Sequence, residues 1–169
     1  MAAVGSLPGL TNVSGSVEAN EKRGALTLAN RNTQVDLPRA FAEPLQFDSL
    51  SGQLAWTVTG GRYDIRVSSL SFANPDMEGT LQGAYQTSGQ GPGSADLSGT
   101  MVRADARRVA HYLPLVVGSA TREWVREAVL AGYSNDVKWR LKGNLAEFPF
   151  DRGAKGVFEV LAKAHGGVI

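Results

Sequence analysis

One five-residue pattern limits what this chain can fold into more than any other feature. It reads apolar, polar, Gly, variable, apolar, and it occurs as Val13-Ser14-Gly15-Ser16-Val17, Leu50-Ser51-Gly52-Gln53-Leu54, Leu81-Gln82-Gly83-Ala84-Tyr85, Leu97-Ser98-Gly99-Thr100-Met101 and Leu141-Lys142-Gly143-Asn144-Leu145. The spacing is irregular, so the pattern marks a recurring kind of strand rather than a solenoid period. Strand side chains alternate between faces, and in every copy the Gly shares a face with both apolar residues. Gly inside a strand costs stability and marks a bend or a close approach by another body. Five such positions predict a strongly curved sheet, or a groove whose floor is kept low.

The alternation extends around these cores. Leu50, Leu54, Trp56 and Val58 share a parity, as do Tyr63, Ile65 and Val67, and Val137, Trp139, Leu141 and Leu145. The opposite parity carries Gln53 and Thr57; Arg62, Asp64 and Arg66; Lys138, Arg140 and Lys142. Such alternation predicts antiparallel strands with one face in water. Thr59-Gly60-Gly61 is a hairpin signal. Phe72-Ala73-Asn74-Pro75-Asp76 and the Gly-rich Ser88 to Ser94 are further connections, while Asn30-Arg31-Asn32 and Glu43-Pro44 punctuate the earlier part. About nine strands are expected, at roughly 11–19, 23–29, 33–36, 47–58, 62–72, 77–86, 95–102, 136–146 and 156–162.

Residues 104–132 depart from this pattern and predict a two-helix insertion. Asp105 is a good N-cap, followed at helical spacing by Ala106, Val109, Ala110 and Leu113, and Pro114 stops the run. Ser119 can cap a second helix ending at Gly132 as C′ residue. Ala120, Trp124, Ala128 and Ala131, with Val125 and Val129, form its apolar stripe; Arg122, Glu123, Arg126 and Glu127 form the other face. At 1.5 Å per residue that helix is about 20 Å long, too short to span a bilayer. The fold expected is therefore mainly β: a curved, groove-like antiparallel sheet with a two-helix insertion. The organisation expected is one segment, 1–169, with a β-rich part at 10–102, the helical pair at 104–132 and returning strands at 136–162.

Composition narrows the function. With 43% hydrophobic and 20% charged residues the chain is an ordinary globular one. A net charge of +1 supplies no field to recruit nucleic acid or an anionic membrane. Zero cysteines exclude disulfides, thiol catalysis and Cys-based zinc sites. No run approaches the roughly 20 apolar residues of a membrane helix, and Met1 to Leu10 lacks the basic and apolar regions of a signal peptide. Both ends read as a piece of a longer chain, the alternative being a small complete protein with frayed termini.

Catalytic signals are missing. His111 and His165 have no ligand spacing around them, so neither a metal nor a cofactor is expected. Gly89-Gln90-Gly91-Pro92-Gly93 has no following Lys-Ser/Thr and reads as a hairpin connection rather than a phosphate loop. No serine sits in a Gly-x-Ser-x-Gly elbow, and Glu147 and Asp151 have no partner carboxylate. Two features carry binding potential. The apolar face offers Leu50, Leu54, Trp56, Leu81, Leu97, Met101, Trp139 and Leu141, either as packed core or as an open groove for acyl chains. Lys138, Arg140 and Lys142, and Arg103, Arg107 and Arg108, are either solvated cations or headgroup ligands.

The order of elements late in the chain resembles a known family. Tyr112-Leu113-Pro114, then Trp124, Ala128-Val129-Leu130 and Gly132, then Trp139-Arg140-Leu141-Lys142-Gly143-Asn144-Leu145-Ala146-Glu147-Phe148-Pro149-Phe150 are similar to the YhdP-type AsmA-like envelope proteins. The resemblance implies an internal periplasmic segment of a large Gram-negative protein held in the inner membrane by an N-terminal helix. It implies long curved β assemblies that conduct phospholipids toward the outer membrane, and no catalytic residues. The expected partners are phospholipid acyl chains and the remainder of the same polypeptide. The rival expectation is a structural or protein-interaction scaffold in which the helices fill the groove, with Trp124 and Val125 on the Gly-bearing face as the discriminator. An enzyme is not expected.

Overall fold

The computed structural model describes residues 9–11, 14–38, 41–89, 91–113, 115, 119–128, 131–150 and 155–168. It is a single antiparallel sheet that curls without closing. The strands are β1 (Gly9–Thr11), β2 (Gly15–Ala19), β3 (Arg23–Asp36), β4 (Leu45–Thr59), β5 (Arg62–Ala73), β6 (Met77–Gln86), β7 (Ser94–Asp105), β8 (Ala131–Asn144) and β9 (Val157–Val168). Each pairs with its neighbour in sequence, except that β1 and β2 both lie along β3. The sheet therefore has eight ladder positions.

The expected segmentation differs at the first edge. The strand expected over 11–19 is two pieces, and the two strands expected at 23–29 and 33–36 are one, β3. Asn30-Arg31-Asn32 does not end β3, because Asn32 takes the left-handed region at φ 52° within the strand. Buried positions change parity there, from Leu28 and Asn30 to Thr33, and in β4 from Leu45 and Phe47 to Leu50. In β5 one extra residue at Ser68-Ser69 does the same, so Val67 and Leu70 face one side.

The expected helical pair is corrected. Ala106–Tyr112 is a 3₁₀ helix, and among the described residues the α-helix, α1, is Ser119–Ala128. Asp105 does cap the first segment, its carboxylate accepting from Arg107 N at 3.0 Å. That segment runs seven residues from the end of β7, longer than most 3₁₀ runs, and is fastened to the β5–β6 turn. Gly132 is not a C′ cap; it lies in β8, which begins at Ala131. Pro114 lies outside the described residues.

Four of the five glycines of the repeated pattern share a steric reason. A β-carbon on Gly15, Gly52, Gly83 or Gly99 would collide with a carbonyl oxygen of the adjacent strand, that of Thr27, Ser69, Asp96 or Thr80 respectively. At Gly83 and Gly143 the backbone also has φ 135° and 136°, which L side chains rarely adopt. Large neighbours lean over the vacated space: a Gly99 β-carbon would sit 2.7 Å from Trp139 Nε1, and Gly24 lies under the Trp56 ring.

The buried core is Leu28, Leu45, Phe47, Leu50 and Phe72, with Phe47 and Phe72 edge-to-face at 6.2 Å. Phe41, Met77, Met101 and Tyr112 pack around it. Replacing Phe72 by Ala is expected to cost about 3–5 kcal/mol. Gly83→Ala is expected to cost about 1–3 kcal/mol from the backbone alone, whereas Gly89→Ala, which meets open space, stays within about 0.5 kcal/mol. Urea midpoints for the three variants test this ordering.

Candidate functional site

The register aligns the apolar face into rows that cross the sheet. One row runs Val17, Leu26, Leu54, Val67, Gly83, Leu97, Leu141, Phe158, through all eight ladder positions without a polar residue. Beside it runs Gly15, Leu28, Gly52, Leu70, Leu81, Gly99, Trp139, Val160. On one flank lie Leu50, Phe72, Gly79, Met101 and Val137; on the other Gly24, Trp56, Ile65, Tyr85, Ala95 and Gly143. From β3 to β9 the rows span six strand spacings of about 4.8 Å, roughly 29 Å. That exceeds a single acyl chain, which covers about 15 Å, half of a bilayer's hydrocarbon core.

The first row is reachable. Leu26, Leu54, Val67, Leu97 and Leu141 are half-buried, and the row emerges at Val17 and Phe158 on the two sheet edges. The structure thus gathers all eight sequence-proposed apolar residues onto one face. It separates Leu50, which is closed into the core, from Leu54, Leu97 and Leu141, which line the open row. Leu26 and Phe158 were not among the candidates; Leu70 was missed because the extra residue in β5 reverses its parity.

The proposed headgroup ligands stand elsewhere. Lys138, Arg140 and Lys142 alternate with Trp139 and Leu141 and so occupy the opposite face of β8, away from the trough rather than at its rim. Arg140 and Lys142 both reach Asp96, at 3.6 and 3.0 Å. That outer face carries hydroxyls, with Thr80 and Thr100 in contact at 3.1 Å in a shallow depression beside Ser49 and Ser71.

Side chains stand at both strand-end rims of the trough. At one, Phe148 packs edge-on to Phe150 and Phe158 at 5.5 and 5.3 Å, and the Phe150 ring lies over Gly143 and Gly156. At the other, the 3₁₀ helix is fastened to the β5–β6 turn. The Tyr112 hydroxyl donates to Asp76 Oδ2 at 2.9 Å and accepts from Asn74 Nδ2 at 2.8 Å. Buried Asn74 also donates to Gln46 O at 2.9 Å, and its Oδ1 accepts from Asp76 N and Met77 N. Arg108 pairs with Asp76 at 3.2 Å, and Arg103 donates to the carbonyls of Asn74 and Pro75. The Arg103, Arg107 and Arg108 guanidiniums are thus held by Glu78, Asp105 and Asp76. Bonding from Arg107 holds the Asp105 carboxyl below the usual range. Burial, with the bond to Asp76, pushes the Tyr112 phenol up to about 12.

This arrangement puts the first helical segment at a strand-end rim, and α1 beside it. The side chains of Trp124 and Val125, which would decide whether α1 enters the trough, lie outside the described residues. Among the described residues no cluster of His, Asp and Glu could hold a metal ion. No described helix is long and apolar enough to cross a membrane.

Tyr112→Phe is expected to lower stability at neutral pH by about 1 kcal/mol. The sign with pH follows from the raised folded-state value: the contribution is complete below pH ~10, the unfolded phenol value, and is lost as pH rises toward about 12. The wild-type protein should therefore lose stability over that window faster than the Phe variant in urea titrations followed by tryptophan fluorescence.

A family model described as YhdP protein matches residues 1–169 of the chain. No curated protein and no solved structure matches it.

Proposed function

The chain belongs to the YhdP protein family, and we propose that it is a non-enzymatic lipid-binding and transport segment of an AsmA-like envelope protein. In this reading the whole protein is anchored in the inner membrane of a Gram-negative cell, spans the periplasm and moves phospholipids toward the outer membrane. The observation that carries it is the row from Val17 to Phe158, apolar at every ladder position and half-open along its length. Apolar surface left in water by a folded sheet marks a binding surface. Acyl chains lie along that row and the parallel one through Leu81 and Trp139. Phosphate headgroups stay in water above the trough, since the cations of β8 face the other way.

The direct test is lipid extraction and mass spectrometry of the purified protein, with photo-crosslinking residues at Leu54, Leu97 and Trp139. Recovery of phospholipid, crosslinked at all three positions, is the expected result. Silence at all three would instead leave a scaffold with a closed core. Leu97→Asp should reduce co-purifying lipid several-fold, while Gln82→Asp, on the exposed face of β6, should leave it unchanged. Circular dichroism checks that both variants fold.

A further inference from the structure

One buried polar group on the trough face lacks a partner, and we propose that Asn30 donates from its amide nitrogen to an acyl ester carbonyl of a bound glycerolipid. The inference rests on the lipid-binding reading and adds to it a polar contact that fixes where the lipid sits.

The described residues bury four polar side chains: Asn30, Thr33, Asn74 and Ser134. Asn74 donates to Gln46 O and the Tyr112 hydroxyl, Ser134 donates to Lys163 O, and Thr33 also has a partner. Asn30 is 4% exposed, yet its Nδ2 has no acceptor among the described residues. A buried amide N–H left unpaired is a standing cost to the fold. The orientation of the side chain is fixed, because Ser14 N donates to Asn30 Oδ1. A backbone N–H requires the oxygen there, so the amide cannot flip, and Nδ2 is turned away from Ser14. Its neighbours on the trough face are Leu28, two residues earlier, and Leu50, directly opposite, with Phe72 beyond. None of these side chains offers an acceptor.

The surroundings select the ligand group. A trapped water needs about two to four polar partners, and this apolar corner supplies one. A phosphate or carboxylate would bring a full charge to a single neutral donor, which does not offset its desolvation. An ester carbonyl is neutral, and it arrives attached to the apolar chain that fits the open row. Access is by way of Gly52, which pairs with Leu28 and so stands diagonal to Asn30. Gly52 is half-buried and carries no side chain, and it joins the sealed corner to Leu54 in the open row. Nδ2 itself has under 1 Å² of accessible surface, so the carbonyl reaches it from Gly52 as a neighbouring side chain turns aside.

The test compares lipids that differ only at this group. The protein is incubated with vesicles holding equal amounts of diacyl phosphatidylethanolamine and its dialkyl ether analogue of matched chain length. It is then re-isolated, and its bound lipid is quantified by mass spectrometry. The wild-type protein should retain the ester form in about three- to tenfold excess. Asn30→Leu should abolish that excess, and so should Asn30→Asp, which keeps an oxygen for Ser14 N but loses the amide donor. A purely structural role for Asn30 would lower both lipids alike and leave their ratio unchanged. Equal retention of the two lipids by the wild-type protein would overturn the assignment and leave the lipid-binding reading standing. Retention of neither would overturn that reading and this inference with it. An ester preference that survives in both variants, with circular dichroism confirming their folds, would also remove Asn30 from the site.

Discussion

The fold depends on how closely neighbouring strands approach where their glycines sit. At Gly15, Gly52, Gly83 and Gly99 the space of a β-carbon is taken by the carbonyl oxygen of the next strand. Only glycine tolerates that contact, and the space above it is filled by a neighbour's large side chain, most clearly Trp139 at Gly99 and Trp56 at Gly24. The same positions therefore set the close approach of the strands and the interdigitation of the apolar face. A sheet curled in this way encloses its apolar side without a second layer, which most sheets need for stability.

Closure is uneven, and the unevenness gives the trough its form. The end carrying Leu45, Phe47, Leu50 and Phe72 is buried. There Tyr112, Asn74 and Asp76 bind the 3₁₀ helix to a strand turn through bonds of 2.8–2.9 Å. At the opposite end Phe148 and Phe150 cover the corner at Gly143 and Gly156. What stays reachable is the middle of the face, where Leu54, Val67, Leu97 and Leu141 stand in line.

Much of the face was legible from alternation alone, since a period of two decides which residues share a side. It placed Leu54, Trp56, Leu97, Trp139 and Leu141 together, and it set Lys138, Arg140 and Lys142 against them. It failed where the period is interrupted. The extra residue near Ser68 hid Leu70 and Phe72, and the left-handed Asn32 made one long strand read as two. It also overstated the helices: Asp105 is a genuine cap, but the run it starts is 3₁₀, with Tyr112 tied to the turn below it.

By itself the sequence determined that the chain is an antiparallel sheet with one apolar, glycine-marked face, and it carried the family signature from Tyr112 to Phe150. Both are local: alternation, turn residues and motif order are written residue by residue. Only the tertiary structure decided why the glycines are needed, which apolar residues are sealed and which remain open, and that Arg140 and Lys142 pair with Asp96 rather than edge the trough. Those depend on cross-strand register, which joins residues far apart in the chain and which no single strand specifies.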